Sequence, residues 1–93
     1  MSLNINNQLE LLHDLLSLHA EEGCGSKSEC EQIARLIQSI QQQNTIQSPL
    51  TNHYDHIRKY GEDGAVTSTM EQHILSHQEA FSTWLQSIKD SNY

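Results

Sequence analysis

Apolar residues along this chain return every three or four positions with polar residues between them, and they almost nowhere alternate by twos. That period places them on one face of a helix at about 100° per residue. The clearest stretch is 68–89, where Met70, Ile74, His77, Phe81, Trp84, Leu85 and Ile88 share a face. Ser68 with Glu71 reads as a capping box, each side chain bonding the other's backbone N–H. The spacing predicts one helix over 68–89, and its apolar ridge is the surface that the other segments must cover.

Ile5, Leu9, Leu12, Leu16 and His19 form a second stripe, widened by Leu11, Leu15 and Leu18, and predict a helix over 4–21. A stripe that wide touches two neighbours. Gly23-Cys24-Gly25-Ser26 is a tight connector, because glycine supplies the positive φ that ends helices. Ser28 with Glu31 reads as a second capping box, opening a helix over 27–42 whose inner face is Cys30, Ile33, Leu36, Ile37 and Ile40. So short a link makes the two helices an antiparallel hairpin. After the polar stretch 41–48, Ser48-Pro49 suits an N-cap and first helical residue. Leu50, His53, Tyr54, Ile57 and Tyr60 are spaced for a short helix over 49–60, which Gly61-Glu62-Asp63-Gly64 would end as a solvated turn. The expected architecture is all-α: a small antiparallel bundle of three long helices plus one short helix, in a single domain of 93 residues.

Charge narrows the set of partners. Twelve acidic residues against five basic ones give a formal net charge of −7, which repels both a phosphate backbone and an anionic membrane surface. The cations Lys27, Arg35, Arg58, Lys59 and Lys89 are dispersed, so neither nucleic acid nor membrane is an expected partner. No apolar run approaches the ~20 residues needed to span a bilayer, and no signal peptide opens the chain. The expectation is a cytoplasmic protein whose two cysteines, Cys24 and Cys30, are free thiols. Their C-x5-C spacing suggests neither a zinc knuckle nor a redox pair. Cys30 falls on an apolar face, while Cys24 sits in a turn beside Glu21, Glu22 and Glu29, which disfavour a thiolate.

Histidine is the reactive type in excess, with six in the chain. His73 and His77 are four apart, so their rings can converge on one cation; His53 and His56, three apart, lie on adjacent turns. These four are the candidate metal ligands, with Glu71 or Asp55 as added donors. Against that, His19 and His77 lie within apolar stripes, where an imidazole commonly serves the core, bonded to a carbonyl or hydroxyl. Protonating such residues in mild acid would put charge into the core. No nucleophile triad, phosphate loop or dinucleotide fingerprint is present, so neither an enzyme nor a cofactor is expected. Tyr54, Tyr60 and Trp84 are candidate interface anchors, with Trp84 alternatively finishing the core. The leading expectation is a non-catalytic module that binds a protein partner or a second copy of itself. The alternative is a metal- or pH-responsive helical module using His73 and His77.

Gly23-Cys24-Gly25, then Ser28-Glu29-Cys30-Glu31-Gln32, and His73-Ile74-Leu75-Ser76-His77-Gln78 together resemble the YtzH-like family. These are short bacterial proteins of about this length, found in spore-forming firmicutes and lacking an assigned function. The resemblance runs over nearly the whole chain. It implies a bacterial cytoplasmic protein and carries over no catalytic residues.

Overall fold

A computed structural model describes residues 5–23, 25–43 and 49–90. Among them every regular element is helical and the fold is all-α. The order is α1 (Ile5–Glu22), α2 (Lys27–Gln43), a 3₁₀ turn (Pro49–His53), α3 (Tyr54–Val66), α4 (Met70–Leu75) and α5 (Gln78–Asp90). α2 packs on α3 and α1, α1 also packs on α5, and the 3₁₀ turn sits against α3 and α5.

α1 forms along the predicted stripe, burying Leu9, Leu12, Leu15, Leu16 and His19, while Leu18 stays exposed. It ends where Gly23 takes φ +67° and its N–H bonds the His19 carbonyl at 3.0 Å. A left-handed residue there satisfies one of the carbonyls that a helix end leaves open. α2 opens with a capping box two residues earlier than expected. The Glu29 N–H donates to Ser26 Oγ at 3.1 Å, and the Ser26 N–H donates to Glu29 Oε1 at 2.8 Å. Ser28 is exposed, and Glu31 instead reaches Arg35 one turn on, 3.9 Å away. Both serines stand three residues before a glutamate, so spacing alone could not choose between them.

The third helix departs most from expectation. Gly61-Glu62-Asp63-Gly64 is not a turn but the middle of α3, with Gly61 and Gly64 buried and Glu62 and Asp63 exposed. The reason is close approach to α2. A Cβ on Gly61 would lie 2.6 Å from the Cys30 carbonyl oxygen and 2.8 Å from the Ala34 nitrogen; one on Gly64 would run into Cys30 Sγ. Each glycine in a helix interior costs about 1 kcal/mol relative to alanine. Here the absent side chains let two backbones pack together, so α3 is a principal neighbour of α2.

The predicted helix over 68–89 is two helices. Its ridge is correctly placed, since Ile74, Phe81, Trp84 and Ile88 are buried with Met70 and Leu85 packed beside them. The ladder breaks because two side chains capture the carbonyl of His73: Ser76 Oγ donates to it at 2.9 Å and His77 Nδ1 at 2.8 Å. The His77 N–H bonds Ile74 O instead, and the α-helical pattern resumes with Phe81 N–H to His77 O. Side chains that compete for backbone acceptors are a recognised cause of such breaks. Nor does the Ser68–Glu71 capping box form. Thr69 occupies the N-cap without a side-chain capping bond, and its N–H is taken by Thr67 Oγ1 at 3.2 Å.

Candidate functional site

Tyr60, on the inner face of α3, is where the chain's polar and aromatic chemistry meets. It is 1% exposed. Its hydroxyl lies 2.7 Å from Nδ1 of His19, which is fully buried in the last turn of α1. The other nitrogen of His19 points to Glu29 Oε1 at 3.4 Å. A carboxylate only accepts, so Nε2 carries the proton and Nδ1 accepts from the Tyr60 hydroxyl. The same Glu29 oxygen caps α2, so one side chain links a helix start to a residue in the core.

The ring of Tyr60 is enclosed by others. His73 stacks on it at 4.5 Å with 12° between planes, and His77, Phe81 and Trp84 present edges at 4.8, 5.3 and 5.7 Å. His73 Nε2 donates to the Tyr60 backbone carbonyl at 2.8 Å. Side chains from α1, α4, α5 and the α4–α5 turn therefore all meet at one residue of α3, and Glu29 of α2 is linked to it through His19.

Burial sets the acid–base character of this cluster. It lowers the His19 pKa below the ordinary 6.5, outweighing the hydrogen bond and charge of Glu29, which raise it; His73 lowers it further. Burial also raises the Tyr60 hydroxyl well above its ordinary range, with Cys30 and Glu29 adding to the shift. Cys30 is pushed up to about 11 by burial and then by Glu29, and its thiol donates to Met70 Sδ at 3.9 Å. Tyr–His–Glu has the outline of a proton relay, yet burial keeps Tyr60 and His19 neutral and enclosed, which is the opposite of an activated nucleophile. Cys24 lies outside the described residues.

The four candidate metal ligands do not assemble. His73 and His77 are neighbours, with ring centres 4.8 Å apart, but each spends one nitrogen on a backbone carbonyl. His53 precedes α3 at its N-cap, and His56 is exposed on α3. Among the described residues no group of three or more His, Cys, Asp or Glu is gathered to hold a metal ion. The expected interface anchors are also re-placed: Tyr54, Tyr60 and Trp84 are 4%, 1% and 4% exposed and belong to the core. Their periodic spacing marked them equally well as core residues, because an inward and an outward aromatic obey the same period.

An open cleft of about 280 Å³ lies beside this core, between α3 and the start of α5, lined by His56, Lys59, Tyr60, Asp63, His77, Ala80 and Trp84. Lys59 and Asp63 pair across one turn at 3.5 Å. His19 and Glu29 do not line it. What sequence reading missed is the link between His19, Glu29 and Tyr60. The available signal was a histidine in mid-stripe on one helix and a tyrosine in mid-stripe on another.

No helix among the described residues is long and apolar enough to cross a membrane. No solved structure matches the chain. A curated relative, the uncharacterized protein YtzH of Bacillus subtilis (strain 168), is 30% identical over 88 residues, covering 95% of this chain and 96% of that protein. The family described as YtzH-like protein matches residues 3–88, and this chain belongs to it.

Proposed function

We propose that this chain is a non-catalytic interaction module that docks a protein partner, or a second copy of itself, in the cleft between α3 and the start of α5. The observation that carries this reading is the cleft's make-up. Tyr60 and Trp84 border it without leaving the core, Ala80 leaves its wall low, and the Lys59–Asp63 pair and His56 stand at its rim. An aromatic surface held rigid by the core beside polar rim groups suits capture of an apolar side chain from another protein. The non-catalytic part of the reading is supported by the enclosure of His19, Tyr60 and Cys30, whose protonation states are pushed away from reactivity. A cytoplasmic setting belongs to the same proposal, as does the disfavouring of nucleic acid by the net charge of −7.

The test is site-specific photo-crosslinking in cells of the native host. A crosslinker at Lys59 or Ala80 is expected to yield one discrete adduct, whose mass tells a second copy from another protein. One at Arg35, on the outer side of α2, should not. Ala80→Glu is expected to remove the adduct obtained from Lys59 without moving the melting temperature. Equal adducts from Arg35, or none from either cleft position, refute the proposal.

A further inference from the structure

We propose that His19 is an acid trigger: by taking up a proton at Nδ1 it removes the acceptor of the Tyr60 hydroxyl and loosens the aromatic wall on which the cleft is built. This deepens the proposed function as regulation of the same cleft and rests on it for its purpose, although the chemistry concerns the chain alone. Nδ1 is the only nitrogen of His19 that can gain a proton, since Nε2 already directs its own toward Glu29. The proton comes from solvent, and the lone pair that held the Tyr60 O–H is consumed. Two penalties then arise together. The Tyr60 hydroxyl, in a residue 1% exposed, must turn its proton elsewhere, and a cation stands in a side chain that is 0% exposed.

The groups facing His19 decide whether that cation is tolerated. From α2 come Glu29, which attracts it at 3.4 Å, and Cys30, a thiol kept neutral by burial. The end of the α1 dipole also favours a cation there. From α3 comes the neutral phenol of Tyr60, and from α4 comes His73, whose own charge would oppose it. His77 lies against another side of the Tyr60 ring, while α5 contributes only the rings of Phe81 and Trp84. Gly25 packs so closely that a Cβ on it would lie 2.8 Å from two carbons of the imidazole. Glu29 and the helix end therefore work against burial, and burial prevails. Because the Tyr60 ring also contacts His73, His77, Phe81 and Trp84, what happens at its hydroxyl reaches the cleft lining.

Trp84 is the chain's one tryptophan, so its emission maximum reports the loosening without any added probe. The experiment follows the full chain from pH 8 to 4.5 by NMR of the histidine Cε1–H groups and by the Trp84 emission maximum. His19 is expected to titrate below 6.5, with the emission moving to longer wavelength at the same midpoint. His19→Gln should abolish that step and leave only the later acid unfolding common to carboxylate-rich proteins. Tyr60→Phe removes the donor that favours the neutral imidazole and should move the midpoint upward, which keeps the proposal testable if His19→Gln does not fold. A His19 midpoint at or above 6.5, an emission maximum that stays still while His19 titrates, or a midpoint unmoved in Tyr60→Phe would each overturn it. None of these readouts needs a bound partner, so an empty cleft in the crosslinking experiment leaves this result standing, and the converse holds too.

Discussion

Gly61→Ala is the substitution whose sign tests the fold most directly. In an ordinary exposed helix the change from glycine stabilises by about 1 kcal/mol, because alanine loses less backbone freedom on folding. Were Gly61 part of a solvated turn with a normal φ, the change would again be neutral or mildly favourable. The structure reverses that sign. The new methyl would stand 2.6 Å from Cys30 O, 2.8 Å from Ala34 N and 3.0 Å from Ala34 Cβ. The two nearest atoms are backbone and cannot rotate aside, so α2 and α3 must separate along the line where they pack. Overpacking of this kind costs about 1–3 kcal/mol, and the rigidity of the obstacle argues for the upper end. After the gain in helix propensity, a net loss of about 2 kcal/mol is expected. For a domain of this size that lowers the melting temperature by roughly 8–16 °C. Thermal and urea unfolding followed by far-UV circular dichroism measures it. Gly64→Ala provides the internal comparison, because there the obstacle is the Cys30 side chain. Cys30→Ala should recover part of the loss in the Gly64→Ala background and none of it beside Gly61→Ala, a difference that a double-mutant cycle isolates. A rise in melting temperature for Gly61→Ala would refute the close approach of these helices, and equal recovery in both backgrounds would refute the assignment of obstacles.

Other expectations rest on independent features. Since burial holds the His19 pKa below 6.5, the unfolded chain takes its proton first as pH falls; stability is therefore whole above 6.5 and lost below it, by up to about 1.4 kcal/mol per pH unit until the folded-state pKa is reached. Urea midpoints compared at pH 7.5 and 5.5 should show this slope in the native chain and a flatter one in His19→Gln. Glu29→Ala removes the capping box and the acceptor for His19 Nε2 together, so it should cost about 1–2 kcal/mol, more than Glu31→Ala on the exposed face, where a surface pair contributes under about 1 kcal/mol. Zinc should leave the thermal midpoint unmoved; a rise that His73→Ala and His77→Ala abolish would restore the metal reading.

The comparison of sequence with structure divides along a physical line. The period of apolar residues, read without coordinates, located α1 and α2 nearly to the residue and identified the buried ridge from Ile74 to Ile88. Those features were legible because helix formation and facing depend on neighbours three and four positions away. The glycines at 61 and 64 were misread as a turn because their meaning depends on Cys30 and Ala34, some thirty positions earlier in the chain. Local rules count glycine only as a cost to a helix. The break at Ser76 and His77 was hidden for a related reason: the apolar period continues through it, while a contest for the His73 carbonyl decides the backbone.

By itself, then, the sequence determined an all-helical chain, the faces its helices bury and a net charge of −7, since each follows from residue type and short-range spacing. Only the tertiary structure decided that His19, Glu29 and Tyr60 form one linked network, that Tyr54 and Trp84 belong to the core, and that the candidate metal ligands are not gathered in a group of three or more among the described residues. Those outcomes depend on which helix faces meet and how closely. Periodicity says that a face will be covered, and the packing of the whole chain chooses what covers it.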